Sequence, residues 1–273
     1  MMRTPASAGI FGWPVAHAKS PIIHRFWLGK LGLDGDYGRF PVHPADLAAA
    51  IRALPALGLR GVNITVPHKI SVIAHLDTVT AAARAIGAVN TVTVGTDGGM
   101  SGTNTDVDGI LEPLRDYDLA GRRVVIAGTG GAARAALAAV SIAGAATVTV
   151  LARDPAKAAM LLGGSSVAGT VMAFDAAWAE NDVALFFNAT TLGMSGQPPL
   201  PVDLTRLRDD AIVFDAVYVP LETPLLAAAR ARGLPVIDGL AMLIGQAATA
   251  FEAFFGAAAP RAFDAELREL LTA

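Results

Sequence analysis

Several polar side chains in this sequence occupy positions where a protein can carry out chemistry. Asn63 and Thr65 alternate with apolar residues in the run GVNITV at 61–66, so a strand there would place both side chains on one face. Lys69 follows Pro67, just beyond the carboxyl end of that predicted strand. Open α/β sheets bind ligands at the carboxyl ends of their strands. The segment therefore predicts a polar binding site that includes a lysine.

Three further segments are rich in placed polar groups. They are GWPVAHAKSPIIH at 12–24, Asn90 with GTNTDVDG at 102–109, and NATTLGM at 188–194. We treat them, with 61–69, as the candidate substrate-contacting segments.

A glycine-rich loop between a predicted strand and a predicted helix points to a nucleotide. The run RVVIAGTGGAAR at 123–134 fits the pattern G-x-G-x-x-G/A through Gly128, Gly130 and Ala133. The first glycine permits a tight turn, the second lets a pyrophosphate approach the backbone, and the small third residue allows close packing of helix on strand. The alternative is an ordinary glycine turn, which the strand–loop–helix context disfavours.

The next predicted strand ends at Leu151, and the residues that follow it would contact the adenosine ribose of a dinucleotide. Arg153 suits a 2′-phosphate or stacking on adenine, whereas Asp154 suits a free ribose 2′-hydroxyl and would repel a 2′-phosphate. Asp154 could equally be the N-cap of a helix that begins at Pro155. The two residues point to different cofactors, with a slight lean to NAD or to the use of both NAD and NADP.

Composition excludes several classes of function. Charged residues make up 16% of the 273-residue chain, the formal net charge is −3, and no basic run is present, which disfavours nucleic-acid binding. Without cysteine there are no disulfides, thiolate zinc sites or cysteine nucleophiles. The five histidines lack metal-ligand spacing, so no metal is predicted, and each is expected in a loop or partly buried. No apolar run approaches about 20 residues, so we expect a cytoplasmic protein without membrane spans.

Hydrophobic periodicity and turn residues divide the chain into two regions. The first has predicted strands at 8–13, 36–42 and 61–66, helices at 21–31 (with Ser20 as N-cap), 46–57, 70–76 and 79–86, and a hairpin of 90–94 with 99–103. The second alternates strands at 124–127, 147–151, 183–188, 211–215 and 235–238 with helices at 132–143, 155–162 and 223–231. Such alternation predicts a parallel, doubly wound sheet. Helices at 241–255 and 261–271 follow, with Phe251, Phe254 and Phe255 at core spacing.

The ordered motifs resemble those of the shikimate/quinate dehydrogenase family from about residue 8 to residue 256. The matching elements are H-x-x-S-P (17–21), G-x-N-[IV]-T-x-P-x-K (61–69), N-T-D-x-x-G (104–109), G-x-G-G (128–131), N-A-T-x-x-G-M (188–194), D-x-x-Y-x-P-x-x-T-P-L (215–225) and D-G-x-x-M-L-x-x-Q-A (238–247). Seven elements in one order make chance a poor explanation.

The sequence pattern, which changes near Asp108, predicts the domain division, and the resemblance implies a fold and a reaction that agree with it. The fold would be α/β, with a substrate-binding and catalytic domain at 1–108 completed by helices at 241–273, and a Rossmann-type dinucleotide-binding domain at 109–240. A substrate cleft between the two domains is the expected geometry. The reaction would be hydride transfer between a nicotinamide cofactor, NAD or NADP, and a ring hydroxyl of shikimate or a similar cyclic hydroxy acid, as in aromatic amino acid biosynthesis. A monomer or a homodimer is expected.

The resemblance also implies roles for individual residues. Lys69 and Asp106 would be the catalytic pair. The substrate would be bound by Ser20 and Tyr218 at its carboxylate and by Asn63, Thr65, Asn90 and Gln246 at its ring hydroxyls. The cofactor would be bound by Gly128, Thr129, Gly130, Gly131, Ala132, Arg153, Thr190, Gly239 and Met242. To these we add Asp154, on the ribose argument given above and not on the resemblance.

Physical chemistry supports the pair independently of the resemblance. Removing hydride from a carbinol requires a proton acceptor on its oxygen, and desolvation can lower a lysine pKa towards the working range. A neighbouring carboxylate raises that pKa again, so Lys69 and Asp106 would titrate together and the base is not assigned to one of them. In the reverse direction Lys69 could donate to the carbonyl oxygen. The alternatives are a solvated loop lysine and an aspartate that caps a helix near Val107.

The sequence departs from the family pattern at three sites. Ala18 replaces a serine that serves the substrate carboxylate, a loss of about 1.5–3 kcal/mol for a hydrogen bond to a charged group. Ala152-Arg153-Asp154 replaces N-R-T, which suits NADP, and Ala241 replaces a glycine, which would crowd the nicotinamide slightly. These changes favour a paralogue acting on quinate, an aminoshikimate or a related acid.

Two other functions remain open at this point. A non-catalytic or regulatory ligand-binding module would account for Ala18, but it has little need of Lys69 and Asp106. A dehydrogenase of the methylenetetrahydrofolate type also uses a catalytic lysine, but the N-T-D and Q-A elements argue against it.

Overall fold

A computed structural model describes residues 6–174 and 182–273 of the chain. The chain divides into two compact units, Met1–Thr105 with Ile244–Ala273, and Asp106–Leu243. We call them the first and second unit. The α/β class expected from the sequence is confirmed in both.

The first unit is built on a mixed sheet of six strands. The strands are β1 (Ala6–Gly12), β2 (Gly35–Pro41), β3 (Leu59–Ile64), β4 (Thr78–Val79), β5 (Thr91–Val94) and β6 (Met100–Thr103), in the order β2-β1-β3-β5-β6-β4. β1 pairs in parallel with β2 and β3, and β5 runs antiparallel to β3 and β6. The helices are α1 (Ser20–Leu31), α2 (Leu47–Ala53) and α3 (Ala81–Ile86). Residues Asn63 and Thr91 lie opposite each other in the β3–β5 register, which brings two polar segments together.

The second unit begins with α4 (Asp106–Leu114) and contains a fully parallel six-stranded sheet. Its strands are β7 (Arg123–Ala127), β8 (Thr147–Leu151), β9 (Ala168–Met172), β10 (Val183–Asn188), β11 (Leu207–Asp215) and β12 (Val236–Ile237), in the order β12-β11-β10-β7-β8-β9. The helices α5 (Gly131–Ile142), α6 (Pro155–Gly163) and α7 (Pro224–Ala231) alternate with these strands. This is the doubly wound order, and its switch point lies between β7 and β10.

The last helices are α8 (Gly239–Phe255) and α9 (Asp264–Thr272). Phe251 and Phe254 are buried, as their spacing predicts, while Phe255 is partly buried. No helix in the described ranges is long and apolar enough to cross a membrane.

The structure corrects several local predictions. Lys19, not Ser20, is the N-cap of α1, and Ser20 is its first residue. The helix expected at 46–57 ends at Ala53, because Pro55 supplies no N–H and disfavours helical backbone at the residue before it. Strands β4 and β9 were not predicted. β9 is short, mostly exposed and contains Gly169, so it lacks the apolar pattern of a buried strand.

His24 also differs from its prediction as a loop or partly buried histidine. It lies in α1, is completely buried, and stacks on the ring of Tyr37 with centroids 4.0 Å apart and planes 5° apart. Trp27 and Phe251 pack around it. Neither ring nitrogen has a hydrogen-bond partner among the described residues, and burial lowers the pKa of His24 to about 3. The imidazole is therefore neutral at ordinary pH and serves as an aromatic core residue.

This burial predicts a pH-dependent stability that His24→Phe removes. The ordinary histidine pKa is 6.5 and the folded value is about 3, so between these values the unfolded chain binds a proton that the folded chain rejects. Stability is therefore lost as pH falls from 6.5 to 3, by about 1.4 kcal/mol per pH unit. Urea unfolding at pH 6.5 and 4.5 should show wild type losing about 2 kcal/mol more than the variant, because the unfolded imidazole is already half protonated at pH 6.5. The exposed His17, changed to Phe, is the matched control. Equal losses in wild type and His24→Phe would contradict the assignment.

Candidate functional site

The glycine loop of the second unit leaves β7 through a turn that requires glycine at its first position. Gly128 has φ of +112°, and a Cβ there would lie 3.1 Å from the carbonyl oxygen of Ala189 and 3.2 Å from a carbon of Thr190. Its N–H donates to the carbonyl of Leu151, at 2.8 Å. The loop is thus held between the ends of β8 and β10, at the switch point of the sheet.

The space beside the next part of the loop suits a phosphate group. Gly130 is the N-cap of α5, and a Cβ placed there would meet no atom within 4 Å. Ala133 is completely buried, so the first turn of α5 packs closely on the sheet. The N-terminus of a helix offers unpaired backbone N–H groups and a positive dipole end. The residues present therefore fit the pyrophosphate of a dinucleotide.

A buried polar network holds Thr190 at the end of β10. Asn188 accepts hydrogen bonds from the backbone N–H of Thr190, at 3.0 Å, and from its hydroxyl, at 2.7 Å. The Asn188 amide donates to Asp215, at 2.9 Å, and Asp215 also accepts from the hydroxyl of Thr223, at 2.7 Å. Burial raises the pKa of the Asp215 carboxyl, and the hydrogen bonds from Thr223, Val217 and Asn188 oppose that rise. The network fixes the segment that packs against Gly128.

The ribose loop gives its two charged residues different tasks. Asp154 is the N-cap of α6, where Oδ1 accepts from the N–H groups of Ala156, at 3.1 Å, and Lys157, at 3.3 Å. The Lys157 ammonium lies 3.5 Å from Oδ2. The hydrogen bond from the Lys157 N–H lowers the pKa of Asp154 most; desolvation opposes it, and the Ala156 N–H and the Lys157 ammonium add to the lowering, so the pKa lies below its ordinary value. The exposed guanidinium of Arg153 has no hydrogen bond or ion pair among residues 6–174 and 182–273.

The start of α8 also requires glycine. A Cβ at Gly239 would lie 2.5 Å from the carbonyl oxygen of Val217 and 2.6 Å from that of Ala216, so any side chain would displace the backbone. Asp238 accepts from the N–H of Ala241 through its side chain and its backbone, each at 3.1 Å. Met242 is buried one residue further on.

The first unit brings three of the predicted substrate-binding amides into one buried cluster. Asn63 donates to the carbonyl of Asn90, at 3.2 Å, and to the hydroxyl of Thr91, at 2.9 Å. The Asn90 amide donates to the Thr105 hydroxyl, at 3.0 Å, and to Oε1 of Gln246, at 3.4 Å. Asn63, Asn90 and Gln246 are between 2% and 7% exposed. A cluster of oriented amides of this kind suits a ligand with several hydroxyl groups.

Lys69 is tied to the same cluster through its backbone. Its carbonyl accepts from the N–H of Val89, at 2.8 Å. Val89 directly precedes Asn90, so this bond holds the Lys69 backbone beside the cluster. The N–H of Thr105 donates to Oδ1 of Asn90, at 2.7 Å. Asp106 follows Thr105 directly and is buried as the first residue of α4.

The remaining predicted substrate residues lie on separate segments. Ser20 is buried at the start of α1, and the half-buried Thr65 follows β3 and donates its N–H to Phe11. Tyr218 is half-buried after β11. The roles assigned to these residues, and to Lys69 with Asp106, stay predictions.

Sequence reasoning missed the residues that hold the amides in place. Tyr37, Thr91 and Thr105 contact Asn63 or Asn90 and are each no more than 1% exposed. A signal was available for two of them, because Thr91 follows Asn90 directly and Thr105 is the middle residue of N-T-D. Tyr37 carries no motif. Among the described residues no group of three or more acidic or histidine side chains could hold a metal ion.

Comparison with known proteins identifies the family. The model of the shikimate dehydrogenase substrate binding domain matches residues 10–92. A protein of Sphingopyxis alaskensis named shikimate dehydrogenase (NADP(+)) is 51% identical over 269 residues, which cover 97% of each chain.

Solved structures agree with that result. Shikimate 5-dehydrogenase from Listeria monocytogenes, in complex with shikimate and NAD, is 29% identical with a TM-score of 0.88, covering 99% of this chain and 98% of its own. Quinate dehydrogenase from Corynebacterium glutamicum, in complex with NAD, is 30% identical with a TM-score of 0.88, covering 98% of each chain. With one relative matching at half of all positions along nearly the whole length, the chain belongs to the shikimate dehydrogenase family.

Proposed function

We propose that the chain is an NADP-dependent oxidoreductase that interconverts shikimate and 3-dehydroshikimate. The observation that carries this proposal is the buried amide cluster of Asn63, Asn90 and Gln246, to which the backbone of Lys69 is tied. Oriented amides match a substrate with several ring hydroxyls, and a lysine matches the proton transfer that a carbinol requires. A regulatory ligand-binding module could use the amide cluster but has little need of Lys69 and Asp106, and an enzyme of the methylenetetrahydrofolate type does not account for the family.

Shikimate is favoured over quinate by the 51% identical relative, which is named for shikimate. The solved structures do not separate the two substrates, since one is a shikimate enzyme and the other a quinate enzyme at nearly the same identity. Because Ala18 has no hydroxyl, we assign the substrate carboxylate to Ser20 and Tyr218. An aromatic amino acid biosynthetic role in the cytoplasm would accompany this substrate.

Lys69 and Asp106 are the proposed proton-transfer pair at the reacting oxygen. When bound, the nicotinamide accepts or supplies the hydride. The pair takes the hydroxyl proton in one direction and returns it to the oxygen in the other, while the amides of Asn63, Asn90 and Gln246 hold the ring. We propose that Gly128–Ala132, Thr190, Gly239 and Met242 bind the cofactor.

NADP is the favoured cofactor because the ribose loop leaves the positive charge of Arg153 available to a 2′-phosphate. The sequence-based lean to NAD gains no support from the named relative, which uses NADP(+). The Asp154 carboxylate is committed to the N-cap of α6 and lies near Lys157, so its repulsion of a 2′-phosphate is reduced. Arg153 is exposed beside it and can pair with that phosphate.

A steady-state panel of shikimate and quinate, each with NADP and NAD, tests the activity. We expect the highest kcat/KM for shikimate with NADP. Lys69→Ala should lower kcat by about 10²–10⁴-fold, the usual contribution of a positioned acid–base group. Lys30→Ala, which removes an exposed lysine paired with Glu266, is the control. Turnover of Lys69→Ala at the wild-type rate would sink the proposed role of the lysine.

Cofactor choice has its own test in Arg153→Ala. Loss of the guanidinium should raise KM for NADP by about 10–100-fold, as expected for hydrogen bonds to a charged group, and leave KM for NAD nearly unchanged. Arg84→Ala, an exposed arginine of the first unit, controls for general charge effects. An equal change with both cofactors would show that Arg153 does not read the 2′-phosphate.

A further inference from the structure

Tyr37 contacts the amide cluster from the core side of the first unit. Its hydroxyl donates to Oδ1 of Asn63 at 2.6 Å, and the residue is completely buried. The Tyr37 ring stacks face to face on the His24 ring, with centroids 4.0 Å apart, and the Phe254 ring lies 6.3 Å from it. Burial raises the pKa of the Tyr37 phenol well above its ordinary value, so the hydroxyl stays protonated and remains a donor.

The hydroxyl decides which way the Asn63 amide faces. With Oδ1 towards Tyr37, Nδ2 faces the carbonyl of Asn90, at 3.2 Å, and the hydroxyl of Thr91, at 2.9 Å. The flipped amide would place two carbonyl oxygens 3.2 Å apart and leave the Tyr37 proton facing an NH₂ group. A single orientation therefore satisfies both ends of the side chain.

The orientation of the Asn63 amide influences Asn90 through the Thr91 hydroxyl. Because the Thr91 hydroxyl accepts from Asn63, its own proton is available to Oδ1 of Asn90, at 3.0 Å. The N–H of Thr105 also donates to this oxygen, so the Asn90 Nδ2 faces Oε1 of Gln246, at 3.4 Å. The Gln246 carbonyl oxygen is turned to Asn90, and its NH₂ group therefore points away from Asn90.

We propose that Tyr37 is a positioning residue that sets the donor and acceptor orientation of the Asn63 amide. Through Thr91 it reinforces the orientation that the Thr105 N–H gives to Asn90 and, through Asn90, to Gln246 towards the substrate. The link to substrate rests on the function proposed above. The orientation itself is a property of the free protein. His24 contributes by stacking on the Tyr37 ring and limiting where its hydroxyl can point.

Tyr37→Phe tests the proposal, because it keeps the stacked ring and removes the donor. We expect KM for shikimate to rise about 10-fold, because the lost hydrogen bond orients amides that contact the substrate. The variant leaves the proton-transfer pair and the cofactor site unchanged, so kcat should change less than about 2-fold and KM for NADP should stay constant. The exposed Tyr117→Phe is the matched control. Thr91→Val removes the middle of the same path in a nearly isosteric way and should give the same pattern, with Thr93→Val, two residues along β5, as its control.

A measurement on the free protein separates this proposal from the proposed function. In Tyr37→Phe and in Thr91→Val the side-chain amide NMR signals of Asn90 and Gln246 should shift, whereas both control variants leave them in place. Unshifted signals, or shifted signals with an unchanged KM for shikimate in an active enzyme, would overturn the proposal. If wild type fails to turn over shikimate, the proposed function fails, and the amide signals alone still support or refute the orientation.

Discussion

The structure of the first unit depends on keeping the buried Asn90 fully hydrogen-bonded. Its side chain and backbone link β3, β5 and the segment that ends at Thr105, through bonds of 2.7–3.4 Å. Asn90 is 2% exposed, and an unpaired polar group at that burial would lower the free energy of unfolding by about 1–3 kcal/mol. The surrounding residues supply the hydrogen bonds that avoid this loss. The same bonds leave the amides rigid and oriented, which is what recognition of a multiply hydroxylated ligand requires.

The second unit obeys a different constraint, which is close approach of backbone beyond the carboxyl ends of its parallel strands. Gly128 and Gly239 are each within about 3 Å of a carbonyl oxygen at the position a Cβ would take, and neither tolerates a side chain without backbone movement. Asn188 and Asp215 supply the polar support behind this region. The amides of the first unit are thus fixed by side-chain hydrogen bonds, and the glycine loop of the second unit by backbone packing.

Much of this arrangement was predictable from the sequence, for identifiable reasons. Strands β8 and β10 and the helix after Gly130 follow from apolar runs bounded by glycine and proline, and Asn63 and Asn90 stand in recognisable motifs. Tyr37 and His24 were not predictable, because their roles arise from packing between β2, α1 and α8, which are distant in sequence. Asp154 was ambiguous, since a carboxylate before Pro155 suits both a ribose and a helix cap, and only the structure shows the cap.

The central claim is that the amide cluster of Asn63, Asn90 and Gln246 binds the ring hydroxyls of shikimate. Titration of shikimate into isotope-labelled protein, followed through the side-chain amide NMR signals, tests it most directly. We predict saturable shifts of the Asn90 and Gln246 signals with one common dissociation constant, and no shift of the exposed Gln197 amide of the second unit. Saturable binding of shikimate that leaves the Asn90 and Gln246 signals unmoved would contradict the account.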